Sequence, residues 1–299
     1  MAWLFVIVLA YLFFSLSSFG DKLVLKGPSK AVSYAFYAGI LNILLIFAIP
    51  FIGFKVPPMA MFFWLAADAV AFVLGLYFGF LAVDEFEVSR ASATIGAMQP
   101  IFIFFISLAL FGYQSMGTFD LLAFLLLFCG SLLISFERKP KLTARFLKLT
   151  LISSIMYGAD YVLIKYIFAD TGFTVGFVWR GIFVGVMAAA LLLTKKNRKE
   201  IFAKRNATNK KLQKTFFATQ VCGGAATALQ SYGIYLAPVA LLPIANSLRG
   251  IQYIFLLGLT LFTSMFFPKV LKEKVSGQIM FQKGIAVLLI VSGLVILVF

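Results

Sequence analysis

Four ionisable residues lie inside long apolar stretches of this chain: Asp68, Asp160, Arg180 and Arg249. A charge in such a setting is expensive, and it normally faces a water-filled cavity or an opposite charge. Their neighbours at helical spacing are informative. Asp68 has Trp64 one turn before it and Gly75 two turns after, on one face. Asp160 keeps Tyr157 at i−3, Tyr161 at i+1 and Ile164 at i+4. Arg249 has Asn246 at i−3 and Tyr253 at i+4, so one stripe offers a guanidinium, an amide and a phenol. Further polar stripes are Gln220, Gly223, Thr227 and Gln230; Ser92, Gly96 and Gln99; and Tyr11, Ser15 and Ser18. These groups bind by charge and hydrogen bond. They require water, a guest molecule or one another. The competing structural reading pairs Asp68 or Asp160 with Arg249 to lock helices together. Lys165 and Arg180, near helix ends, are expected to snorkel to an interface.

What positions such residues must sit in lipid. Of 299 residues, 62% are hydrophobic and 12% charged, with a mean hydropathy of +1.02. No soluble domain hides that much apolar surface. The net charge of +15 does not point to nucleic acid, because the basic residues are not interleaved with a polar domain. In a membrane protein such an excess orients loops. Histidine is absent, and Cys129 and Cys222 fall inside apolar runs. This leaves no histidine base, no ordinary zinc site and no disulfide framework. A Walker loop and Gly-x-Gly-x-x-Gly are also missing, so no ATP hydrolysis, enzymatic activity, metal or other cofactor is expected. The apolar start, 2–19, reads as a first span rather than a cleaved signal.

A crossing helix needs about 20 apolar residues. Ten such spans are expected, at 3–25, 31–54, 59–82, 88–112, 118–136, 147–168, 173–194, 215–237, 239–265 and 279–298. Runs of this length without alternation mean an all-α polytopic membrane protein. The chain also repeats itself. Tyr77-Phe78-Gly79-Phe80-Leu81-Ala82 matches Tyr232-Gly233-Ile234-Tyr235-Leu236-Ala237, and Asp21 to Lys26 matches Asp160 to Lys165. Gly130 to Ile134 matches Gly293 to Leu297 in the same order. The chain therefore divides into five-helix repeats at 1–137 and 138–299, the second with a basic loop at 195–214. An odd number of helices per repeat inverts the second relative to the first. Inverted repeats place a substrate site at their interface, near the bilayer midplane. Loops after odd-numbered spans hold nearly all the Lys and Arg, from Lys22 and Lys26 to Lys272 and Lys274, whereas the opposite side holds only Lys55. The positive-inside rule puts those loops in the cytoplasm and both termini outside, in the inner (cytoplasmic) membrane. Loop 195–214 is expected to be a solvated topology determinant, with anionic lipid as the alternative contact.

With these repeats in view, the chain resembles the drug/metabolite transporter superfamily, in particular its EamA-type ten-helix carriers. The resemblance rests on the Tyr77 and Tyr232 segments, on Pro238-Val239-Ala240-Leu241, and on Gln99-Pro100-Ile101-Phe102. It continues through Ser247-Leu248-Arg249-Gly250, Glu273-Lys274-Val275-Ser276, Gly284 and Gly293. Three features depart from it. No acidic residue follows the fourth span at Gly112-Tyr113-Gln114, Gly250 stands where the family commonly has proline, and the loop charges place both termini opposite to the family's usual side. The resemblance implies a secondary carrier of a small organic metabolite, with spans 1, 3, 4, 6, 8 and 9 around a central cavity and alternating access. The expected solute is an amino acid-like zwitterion or an amphipathic molecule. Arg249 and Asn246 would hold a carboxylate, and Asp68 or Asp160 would face a cationic centre. Trp64, Tyr157, Tyr161 and Tyr253 would stack on the apolar part, and Gln99, Gln220 and Gln230 would add hydrogen bonds. A coupling proton or an exchanged solute is the expected driving partner. Cationic (choline- or polyamine-like) and nucleotide-linked or sulfonium solutes are the alternatives in transport, and a structural membrane protein is the alternative outside it. Gly181-x-x-x-Gly185 permits close helix contact within or between chains, which leaves the oligomeric state open.

Overall fold

A computed structural model describes residues 2–24, 31–52, 55–86, 88–113, 116–135, 143–202, 210–266 and 277–298. Among them there are helices and no strands. Chain order gives α1 (Ala2–Val24), α2 (Ala31–Ile40), a 3-10 stretch (Leu41–Ala48), α3 (Ile49–Ile52), α4 (Met59–Glu85), α5 (Val88–Phe111) and α6 (Thr118–Ser135). There follow α7 (Ala144–Thr171), α8 (Phe173–Ala190), α9 (Lys195–Ile201), α10 (Lys210–Leu236), α11 (Leu242–Ser247), α12 (Arg249–Phe266) and α13 (Gly277–Val298). Seven helical stretches among the described residues are long and apolar enough to cross a membrane: Ala2–Gly20, Met59–Val83, Thr94–Phe111, Ala144–Thr171, Phe173–Leu193, Val239–Thr263 and Phe281–Val298. Ala35–Phe47 and Thr118–Leu133 are shorter apolar helices. The protein is a multi-pass, all-helical membrane protein.

Local chemistry sets the helix ends. Extended Pro58 precedes α4, and extended Pro238 precedes the broken segment that leads into α12. The Thr143 hydroxyl caps α7 by accepting from the Phe146 N–H at 3.2 Å. Gly172 alone joins α7 to α8, and its φ of +73° is a conformation that side chains with a Cβ avoid. The expected span at 31–54 is not one α-helix. It tightens to 3-10 geometry over Leu41–Ala48, where Asn42 Nδ2 donates back to the carbonyls of Ala38 (2.9 Å) and Gly39 (3.2 Å).

The chain forms two compact units, one of Met1–Pro28, Gln114–Phe136 and Asn206–Phe299, the other of Ser29–Tyr113 and Glu137–Arg205. Each unit takes helices from both sides of residue 137. In the second-named unit α4 packs along α7 and α8, α7 along α5, and α8 along the 31–48 segment. Its core includes Ala69 and Val73 against Val184 and Ala188, and Ala82 and Ala91 against Phe146 and Leu149. Gly181 and Gly185 bring α8 onto the 3-10 stretch, where an added Cβ would meet the Asn42 carbonyl at 2.9 Å or Ile43 Cβ at 2.8 Å. That glycine pair therefore serves a contact within the chain. In the other unit α1 runs along α10, α6 along α13, and α12 contacts both α1 and α6.

The expected solvated loop at 195–214 begins otherwise. Residues 195–201 form α9, capped by Thr194 and docked through buried Ile201 onto Val32 and Phe36. The Ser33 hydroxyl donates to the Glu200 carbonyl at 3.0 Å. Lys195, Lys196, Arg198 and Lys199 stay exposed. Residues 203–209 of that loop, and the loop lysines from 269 to 274, lie outside the described residues.

Candidate functional site

The candidate residues fall into two groups, one in each unit. Trp64, Asp68, Gln99, Tyr157, Asp160 and Tyr161 belong to the unit built on α4 and α7. Gln220, Gln230, Asn246, Arg249 and Tyr253 belong to the unit built on α1 and α10.

In the first group, Arg180 is the organising side chain. It does not snorkel. Eight positions into α8, it is only 2% exposed and lies between two carboxylates. Its Nη2 donates to Asp160 Oδ1 at 2.5 Å, and its Nε approaches Asp68 Oδ2 to 2.9 Å. The second approach lies outside hydrogen-bond geometry, so neither Asp68 oxygen has a hydrogen-bond partner although the residue is fully buried. The Phe72 ring lies 5.0 Å from the guanidinium carbon, a cation–π distance. Tyr157 stands edge-on to Phe72 at 6.4 Å and covers Gly75. Asp68 and Asp160 thus meet each other's cation, from α8, and the expected pairing with Arg249 is replaced by pairing with Arg180. Signals for this were present: Gly176, Gly181 and Gly185 flank Arg180, and small residues admit close neighbours that bury it. Trp64 packs elsewhere, on Tyr166 at 4.8 Å. Gln99 is buried on α5, and Tyr161 is buried beside Asp160 on α7.

The second group surrounds a break in the helical run 239–266. Pro243 lies in the first turn of α11, which stops at Ser247, and α12 begins again at Arg249. At the break the Ile251 N–H turns to the Leu248 carbonyl (2.9 Å), one position short of the α-helical pattern. The Ser247 carbonyl is instead taken by the Ser131 hydroxyl of α6 at 3.0 Å. Tyr11, fully buried on α1, aims its hydroxyl at the carbonyls of Ala245 (3.3 Å) and Asn246 (3.2 Å). Gln230 Nε2 donates to that same hydroxyl at 3.5 Å, and Arg249 and Tyr253 lie within its electrostatic reach. Tyr11 is the residue that the sequence placed on a polar stripe but left out of the site. The Asn246 side chain is fully buried, and neither its Oδ1 nor its Nδ2 has a hydrogen-bond partner. Gln220 is half-buried on α10.

The two groups differ in chemistry. Around Arg180 the charges already meet opposite charges. Around Asn246 a buried amide donor and acceptor stand unmatched, which suits a planar polar group such as a carboxylate or an amide.

No protein-family model and no curated protein matches the chain. Among solved structures, the chain is similar to a protein of known crystal structure with a TM-score of 0.70 and 15% identity, over 99% of this chain and 96% of the other. At that identity the likeness speaks for a shared fold.

Proposed function

We propose that this chain is a secondary active transporter of the EamA type, moving a small organic metabolite across the inner membrane by alternating access. The observation that carries this reading is Asn246. A buried amide left without partners costs stability, and a packed interior normally removes such a group or satisfies it. Its place at a break in a membrane helix is where transporters of the inverted-repeat class put their substrate contacts, because the interrupted backbone lines a cavity. The ten-helix, two-repeat organisation is supported by a shared local arrangement. The echo-bearing helix of each half, α4 or α10, packs along the first helix of the other half, α7 or α1.

The solute reading shifts with the geometry. Asn246, Arg249 and Gln230 suit the carboxylate end of an amino acid-like solute, with Tyr253 against its apolar part. Asp68 and Asp160 face Arg180, which weighs against a cationic solute held by those acids. Their pairing favours a second reading for that cluster alone, a structural lock between α4, α7 and α8.

The deciding experiment is a thermal-shift screen of the purified protein against amino acids and other carboxylates, followed by uptake into proteoliposomes with Arg249→Ala and Asn246→Ala. Binding and uptake that survive in both variants remove these residues from the site. Orientation is tested by labelling single cysteines placed at positions 55 and 199 from outside intact cells. The loop charges require position 55 to react and position 199 to be shielded.

A further inference from the structure

Two acids from two helices share one cation in the interior of a membrane unit. With Asp68 and Asp160 both ionised, the Arg180 cluster carries one uncompensated negative charge. With a single proton added it carries none. An isolated charge without water or a partner is strongly disfavoured at such a site. The geometry also says which acid takes the proton. Asp160 accepts a hydrogen bond from Arg180 at 2.5 Å, and its side chain is 11% exposed. Asp68 is wholly buried, and both its oxygens lack a hydrogen-bond donor. A proton on Asp68 makes it a donor, and the Asp160 carboxylate is the acceptor within reach.

The other described titratable side chains on the surrounding helices do not replace it. They are Tyr157, Tyr161, Lys165 and Tyr166 on α7, Tyr77 on α4 and Tyr37 on α2. Glu85, Arg145, Lys148 and Asp170 sit at helix ends, with Glu85 bound bidentately by Arg145 at 2.5 and 2.6 Å. On α8 Arg180 is the one titratable residue.

We propose that the Asp68–Arg180–Asp160 cluster is a binding site for a single proton, with Asp68 as the carrier and the Arg180–Asp160 pair as its fixed partner. The proton comes from water and returns to water, and no bond other than O–H forms or breaks. Protonated, the cluster is neutral and suits a closed interior. Deprotonated, it carries a net negative charge that favours an arrangement admitting water to α4. In a transporter of the kind proposed above, on which this clause rests, that proton is the coupling ion.

Infrared difference spectroscopy of the purified chain in lipid, titrated with pH in H2O and D2O, tests the site directly. The expected result is one buried carboxylic acid band that vanishes on alkalinisation, shifts in D2O and is missing from Asp68→Asn. In Asp160→Asn, where Asp68 faces Arg180 without a competing acid, the band vanishes at lower pH than in wild type. A wild-type spectrum with no titrating buried carboxylic acid overturns the proposal whether or not any variant folds. Persistence of the band in Asp68→Asn overturns it too. Coupling is read separately in proteoliposomes of the wild-type chain: solute uptake rises under an imposed proton gradient and falls to the gradient-free level with a protonophore, and uptake indifferent to both overturns the coupling role. A band that titrates as expected in a protein that moves no solute ends the transport reading and leaves the proton site standing.

Discussion

The guanidinium of Arg180 is hydrogen-bonded to Asp160 across the α7–α8 hairpin at 2.5 Å, and the same group lies 2.9 Å from Asp68 on α4. Three helices of one unit are therefore joined at a point where none of the three side chains is more than slightly exposed. Such clusters are costly to assemble, and costlier to leave half-assembled.

Replacing Arg180 with Leu leaves the Asp68 and Asp160 side chains buried without their cation. The expected loss is about 3–5 kcal/mol, the usual penalty for removing one partner of a buried ion pair. Thermal unfolding in detergent, followed by circular dichroism, measures it. Adding Asp68→Asn and Asp160→Asn to Arg180→Leu recovers most of the loss, because what remains is neutral. A triple variant as unstable as the single one refutes the charge account.

Asn246→Leu has the opposite profile. It removes a buried amide whose two polar atoms have no hydrogen-bond partner, a penalty of about 1–3 kcal/mol. The unfolding midpoint should hold or rise, while ligand-induced stabilisation disappears. A midpoint that falls sharply would make Asn246 a structural residue.

Tyr11→Phe keeps the ring and deletes the hydroxyl that serves two carbonyls at the helix break. One lost buried donor corresponds to about 1–2 kcal/mol. Hydrogen exchange should quicken at Leu248 and Arg249, where the break lies, more than in α13. Uniform exchange across the unit counts against a local role.

Gly181→Val drives a branched side chain into the Asn42 carbonyl and Leu45. Overpacking of this kind costs about 1–3 kcal/mol. If the glycine pair served an interface between chains, the same variant would alter oligomer size and leave the midpoint unchanged. Size-exclusion chromatography with light scattering separates the two outcomes.

Much of the helix layout was legible because proline, glycine and polar caps interrupt the apolar runs. The span at 59–82 emerges as Met59–Glu85, and that at 173–194 as a helix from Phe173 through Leu193. The 31–54 span was less legible, since a hydropathy run does not register the back-bonding of Asn42 that tightens it. Helix α9 was hidden by its charge: four exposed cations dominate a segment anchored by the single apolar residue Ile201. The site was legible residue by residue but not in its pairings. Spacing along one helix put Asn246 with Arg249 and Tyr157 with Asp160. Which helix lies opposite is a tertiary fact, so Arg180 was assigned to the interface and Tyr11 to a stripe.

The one-residue link at Gly172 has a bearing on how the protein enters the bilayer. It makes α7 and α8 a tight hairpin, so Asp160 and Arg180 are partners close in the chain, twenty positions apart. A hairpin of this kind passes from the translocation machinery into lipid with its two charges already matched, and each unmatched charge would otherwise cost about 2.5–3.5 kcal/mol at the bilayer centre. Asp68, emitted earlier on α4, has no such companion during synthesis. It must wait, uncharged or wetted, until the later hairpin arrives beside it.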